Sequence, residues 1–135
     1  MFNVKDLHNM KLEPCCYNYN IFVDTENKKL NMMLNQRSQD YITANNWNVV
    51  QYAILLIMLA RSTGYKEGKL IHCITDCHIY NKHFDIAEEL LNRPSYSAPT
   101  LWVNPEITDF YKFTPDDFKL ENYQHGEKIK VPVAI

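Results

Sequence analysis

Between Trp47 and Ala60 the chain carries Val49, Val50, Ala53, Ile54, Leu55, Leu56, Ile57, Met58 and Leu59, with only Asn48, Gln51 and Tyr52 among them. Asn45-Asn46 ahead of this run reads as a helix start, because Asn is a good N-cap. Gly64, just past Ser62, reads as its stop. The predicted helix is apolar around nearly its whole circumference, and a helix of that kind is buried on every side. Its continuous apolar run, Ala53 to Ala60, is too short to span a bilayer. It is therefore a core helix, and it asks for more cover than 135 residues comfortably supply.

The flanking sequence alternates with the period of strands. Tyr17, Tyr19, Ile21 and Val23 share one face, and Cys16, Asn18, Asn20 and Phe22 the other. A turn at 24–28 and a second strand at 30–36, alternating at Leu30, Met32 and Leu34, complete a hairpin. Ahead of them, residues 1–13 predict a strand end and one helical turn. Further on, the patterns predict a strand at 69–79, an amphipathic helix at 81–92 and a strand at 100–104. One helical turn at 115–118 and a last short strand at 120–123 follow. No repeat, low-complexity stretch or linker divides the chain, so residues 1–135 read as a single domain.

Several function classes fall away on composition. A net charge of −2 without a basic run argues against nucleic acid as a partner. Three glycines leave no Gly-rich phosphate loop. The N-terminus lacks a signal-peptide pattern, so Cys15, Cys16, Cys73 and Cys77 read as reduced thiols of a cytoplasmic protein without a membrane partner. Cys73 and Cys77 lie about 13 Å apart along a strand, too far for one zinc ion, and no metal is expected.

The chemistry concentrates in three stretches. Pro14 precedes Cys15 at the mouth of a strand, so the thiol sits on a stiff corner. Cys16 opens the strand and is expected to point to the opposite face. The hairpin returns Arg37 toward Cys15, where a guanidinium favours a thiolate. Arg37-Ser38 offers a fork and a hydroxyl suited to an anion. Asp40 and Asn48 read equally as turn and cap residues. His78 and Tyr80, two apart on a strand, are expected to face one side. By themselves these residues describe a small anion held near a thiol.

Their set and order resemble the thymidylate synthase family. The hallmarks run from Asn3-Val4, Leu7, Met10, Leu12 and Pro14-Cys15 to Gln36-Arg37-Ser38 with Asp40. Asn48 with Tyr52-Ala53, Asp76 with His78-Ile79-Tyr80, Leu120-Glu121-Asn122-Tyr123 and the tail from Lys130 to Ile135 follow. The resemblance implies an α+β fold, a mixed sheet packed against a long buried helix, of which this chain is the C-terminal half. It implies that Cys15 is the nucleophile that adds to carbon 6 of dUMP. Carbon 5 then attacks the methylene of the co-substrate 5,10-methylenetetrahydrofolate. Arg37 and Ser38 correspond to phosphate binders, Asn48 to the reader of the pyrimidine O4 and N3 edge, and His78 with Tyr80 to the ribose-binding pair. Asp40 corresponds to a residue that meets the folate pterin. The tail, with Ala134, corresponds to a terminus that closes over the ligands.

The chain departs from the family pattern at Cys16, where His is usual, at Asn20, where Gln is usual, and at Ile74-Thr75, where glycines are usual. Bulk at 74–75 is expected to weaken nucleotide binding. The first half of the pattern would carry the proton-relaying glutamate, the folate-facing tryptophan and further arginines. Without them the chain is expected to make no thymidylate alone, and to associate as a homodimer through a sheet face or with a matching N-terminal half. Two other readings stand beside this one: a non-catalytic nucleotide-binding or assembly module of the same fold, and a pyrimidine hydroxymethylase of the same superfamily.

Overall fold

The computed structural model describes residues 3–133. The chain divides into two compact units, Met1–Ile79 and Tyr80–Ile135.

In the first unit a 3-10 helix, Val4–Asn9, is capped by the Asn3 side chain. Strands β1 (Cys16–Asp24) and β2 (Lys29–Asp40) pair antiparallel as the alternation predicts. Asp24 closes the turn between them by accepting from the backbone N and side-chain Nδ2 of Asn27, each at 2.9 Å. Lys28, with φ of 52°, completes the turn. Helix α1 (Asn45–Ser62) then crosses over to strand β3 (Lys66–His78), which lies parallel to β2. A parallel pair needs such a crossover, because the chain must return to the same end of the sheet. The result is a mixed three-stranded sheet in the order β1-β2-β3. At the end of α1, Gly64 adopts φ of 75°, the left-handed conformation that a helix stop favours.

The core of this unit is the face of the sheet under α1. Leu30, Met32, Leu56 and Ala60 are fully buried, flanked by Tyr19, Tyr52, Leu55, Leu59, Tyr65 and Leu70. Leu56 and Ala60 lie one turn apart, so they fall on one stripe of the helix. The expectation of burial on every side holds only along that stripe within this chain. Trp47 is 79% exposed and Val50 55% exposed, and among the described residues nothing covers them.

The start of α1 also differs from expectation. Asn45 lies inside the helix and Ala44 occupies the N-cap without a side-chain bond. The capping work is done one turn earlier, where Asp40 accepts from the backbone N of Ile42 and Thr43.

The second unit opens with a 3-10 turn, Asn81–His83, running into helix α2 (Phe84–Leu91). Strands β4 (Thr100–Val103) and β5 (Phe118–Glu121) form a two-stranded antiparallel ladder. The C-terminal segment is stitched to the start of this unit. Lys82 donates to Val133 O at 2.9 Å, and buried His83 holds Pro132 O at 2.8 Å. Among the described residues no helix is long and apolar enough to cross a membrane.

Candidate active site

Cys15 and Asn48, called from separate parts of the sequence, line one cavity of about 440 Å³ with Pro14, Cys16, Ala44, Gln51 and Tyr52. The corner that carries the thiol is tied down by a single residue. Arg37 donates its backbone N to Cys15 O at 2.9 Å and its guanidinium Nη2 to Glu13 O at 2.6 Å, bracketing Pro14 from both sides. The Arg37 Nε is buried and, among the described residues, has no hydrogen-bond partner.

Cys16 does not follow the alternation. A register shift between Cys16 and Asn18 breaks the β1 pattern and sets Cys16 opposite Gln36, on the α1 side of the sheet. Both thiols therefore border the cavity. They differ in chemistry: the Cys16 Sγ donates to Gln36 Oε1 at 3.1 Å. Burial pushes the Cys16 thiol above its usual range, against a hydrogen bond from Tyr52 that lowers it, and the neighbouring Cys15 raises it further. A protonated, hydrogen-bonded thiol is a poor nucleophile. Tyr52 is itself pushed up, first by burial and then by Cys16.

Behind Asn48 lies a chain of carboxamides in which the sequence reading gave Gln36 no role beyond that of a hallmark and Gln39 none at all. Gln36, 1% exposed, accepts from Cys16 and sits 2.8 Å from His72 Nε2, while its own Nε2 donates to Ser38 O at 2.7 Å and to Gln39 Oε1. Gln39 Oε1 in turn accepts from Asn48 Nδ2 at 3.1 Å. Burial lowers the His72 pKa, which favours the neutral ring. A signal for Gln36 was present: it continues the inward alternation of Leu30, Met32 and Leu34, so a polar side chain had to be buried there.

The remaining candidates lie outside this lining. Ser38 pairs with Asp76 and Asp40 with His78 in the β2–β3 ladder. The two Asp40 carboxylate oxygens hold the turn to α1, accepting from Ile42, Thr43 N and Thr43 Oγ1. His78 Nδ1 lies 3.3 Å from Asp76 Oδ2. Strand β3 ends at His78, so the alternation argument for His78 and Tyr80 does not apply. Tyr80 begins the second unit and stacks edge-on to His83, with ring centroids 6.0 Å apart. Ala134 lies outside the described residues.

A family model of thymidylate synthase matches residues 1–135. The chain belongs to the thymidylate synthase family. It is 44% identical over its whole length to the thymidylate synthases of Bacillus subtilis subsp. natto and of Bacillus phage phi3T, covering 48% of each. The structure of a thermostable thymidylate synthase A from Bacillus subtilis superposes with a TM-score of 0.90 at 43% identity, over 99% of this chain and 48% of that one. The chain thus spans about half the length of these thymidylate synthases, and its α+β architecture is that of the family.

A second, larger hollow of about 940 Å³ is bordered by Phe22, Lys29, Met33, Glu67 and Ile71 and holds none of the candidate residues. Met33 alternates with the buried Met32, so its side chain faces away from α1. Phe22, Met33 and Ile71 are exposed there.

Proposed function

We propose that this chain is the nucleotide-binding, nucleophile-bearing C-terminal portion of a thymidylate synthase, acting on dUMP with 5,10-methylenetetrahydrofolate as co-substrate. One observation carries the reading: in a chain of this family, a thiol on a pinned corner and the half-buried carboxamide of Asn48 border the same cavity. Cys15 supplies the attacking sulfur for carbon 6 of the uracil ring, and Cys16, kept protonated by burial, does not compete. Asn48 reads the base, since a carboxamide can donate to O4 and accept from N3–H. Arg37, with its guanidinium fork, and Ser38, with its hydroxyl, bind the phosphate. His78 and Tyr80 hold the ribose.

Asp40 meets the folate in this reading. The C-terminal tail, whose Ala134 lies outside the described residues, has the role that the family pattern gives the terminus. Residues 1–135 form part of one catalytic domain, since the family match runs unbroken through both units. The exposed face around Phe22, Met33 and Ile71 is where a second copy docks to make a cytoplasmic homodimer. Turnover needs the residues of the family pattern's first half.

Titration calorimetry with dUMP and dCMP tests this reading. The chain is expected to bind dUMP in preference, and Asn48→Asp to shift the preference toward dCMP by about tenfold or more. Preference for dCMP in the unaltered chain would make it a hydroxymethylase. Binding of dUMP without turnover, even when a matching N-terminal half is added, would make it a binding module. No binding of either nucleotide would end the proposal.

A further inference from the structure

The base reader in this proposal is a carboxamide, and a carboxamide has two faces. In one orientation Asn48 presents a donor to the pyrimidine 4-position and an acceptor to N3, which suits uracil. Turned by 180° about its last bond it presents the reverse, which suits the amino group and unprotonated N3 of cytosine. Shape alone does not distinguish the two. Something must decide which way the amide points.

The carboxamide chain under the cavity decides it. Ser38 O is a backbone carbonyl and can only accept, so the amide end of Gln36 that lies 2.7 Å from it must be Nε2. That same nitrogen meets Gln39, so the Gln39 atom facing it must be the oxygen. Gln39 Oε1 is also the atom 3.1 Å from Asn48, so the Asn48 atom there must be Nδ2. At the other end of Gln36, Oε1 accepts from Cys16 Sγ at 3.1 Å, which agrees with the assignment. One fixed carbonyl thus sets the direction of three amides in series, and each bond polarises the next. Gln39 is 1% exposed, so water is not at hand to replace a lost partner.

We infer that Gln39 is a positioning residue that locks the Asn48 amide in its uracil-reading orientation, and so sets the preference for a uracil over a cytosine nucleotide. The inference rests on the reading of Asn48 as the base reader. A flip of Asn48 would set its Oδ1 against Gln39 Oε1, two acceptors at hydrogen-bond distance. Removing that acceptor frees the flip. Methionine is close to glutamine in size and has no such acceptor, whereas glutamate keeps one. Glutamate also replaces the Gln39 Nε2, which is buried without a partner among the described residues, by an oxygen.

The test compares the full chain with Gln39→Met and Gln39→Glu by two measurements. Calorimetry gives the ratio of dUMP to dCMP affinity. Nitrogen-resolved NMR gives the hydrogen exchange of the Asn48 side-chain amide, which needs no nucleotide, and a denaturation curve verifies that each variant is folded. Gln39→Met is expected to lower the dUMP:dCMP ratio about tenfold and to speed Asn48 amide exchange. Gln39→Glu is expected to keep both near the unaltered values, which loss of packing alone would not produce. Unchanged Asn48 exchange in Gln39→Met overturns the inference, as does an unchanged ratio, or a Gln39→Glu variant that behaves like Gln39→Met. A chain that binds neither nucleotide overturns the reading of the site and the specificity role with it, while persistent Asn48 protection in Gln39→Met condemns the inference alone.

Discussion

The Asp117 cluster of the second unit and the Gln36 cluster of the first are both built from buried carboxamide or carboxylate groups. Asp117 Oδ1 accepts from Asn104 Nδ2 at 2.7 Å, and its Oδ2 accepts from Thr114 N and Thr114 Oγ1 at 2.9 Å each. Its backbone O takes Asn104 N at 2.8 Å. Each oxygen is used, and the cluster holds the start of β5 against the end of β4. The Gln36 cluster is different. It runs from Cys16 and His72 through Gln36 and Gln39 to Asn48, and among the described residues Gln39 Nε2, like the Arg37 Nε on the same strand, is buried without a partner. Buried donors without acceptors are costly, so a fold keeps them where something else uses them. A saturated cluster is a fastening, whereas an unsaturated one that ends on a cavity wall has donor capacity to spare.

The sharpest way to break this contrast is to remove its hub. Gln36→Ala leaves Cys16, His72, Ser38 O and Gln39 without their common partner, and is expected to cost about 3 kcal/mol in urea denaturation. A loss below about 1 kcal/mol would mean that the carboxamides are not a cooperative unit.

Next in size is Asp117→Asn, whose Nδ2 cannot accept from Thr114. The hydrogen bond from Asn104, followed by those from Thr114, holds the Asp117 carboxyl below its ordinary range. A depressed carboxyl adds stability that is complete above the unfolded value near 4 and is lost as pH falls through the lower folded value. The unaltered chain should therefore lose stability on acidification below about pH 4, and Asp117→Asn should be less stable at neutral pH and flatter in that window. Parallel curves for the two proteins would show that Asp117 is not the fastening described.

The smallest expected effect belongs to His72. Burial holds its pKa below the usual value near 6.5, so between pH 7.5 and 6 the unfolded chain gains a proton that folded His72 refuses. Stability should fall modestly over that range, and His72→Gln, which keeps a donor toward Gln36, should abolish that part of the slope. An unchanged slope would assign it to the other histidines.

Much of the architecture was legible beforehand. The hairpin, α1 ending at Ser62 and the order of elements through β5 follow from periodicity, which is a local property of the chain. The ends of elements were less legible. Strand β3 begins at Lys66, ahead of the expected residue 69, because the parallel ladder with β2 already pairs Lys66 with Lys29. Strand β5 is Phe118–Glu121 instead of 120–123, because β4 offers partners only as far as Thr100 opposite Glu121, and Asn122 leaves the strand with φ of 57°. Pairing partners set such limits, and they come from elsewhere in the sequence.

The amino-acid sequence by itself determined that Cys15 sits on a proline corner, that the apolar run after Trp47 forms one helix ending at Ser62 and that the order of hallmarks is that of one family. These are matters of covalent geometry, periodicity and residue order. Only the tertiary structure decided that Cys16 turns inward at a register shift, that Arg37 pins the corner by two bonds, and that Gln36 and Gln39 stand behind Asn48. A carboxamide has no charge and no periodicity to announce it. Which of its ends donates is settled by the groups that three separate elements bring against it, and those meet only when the chain is folded.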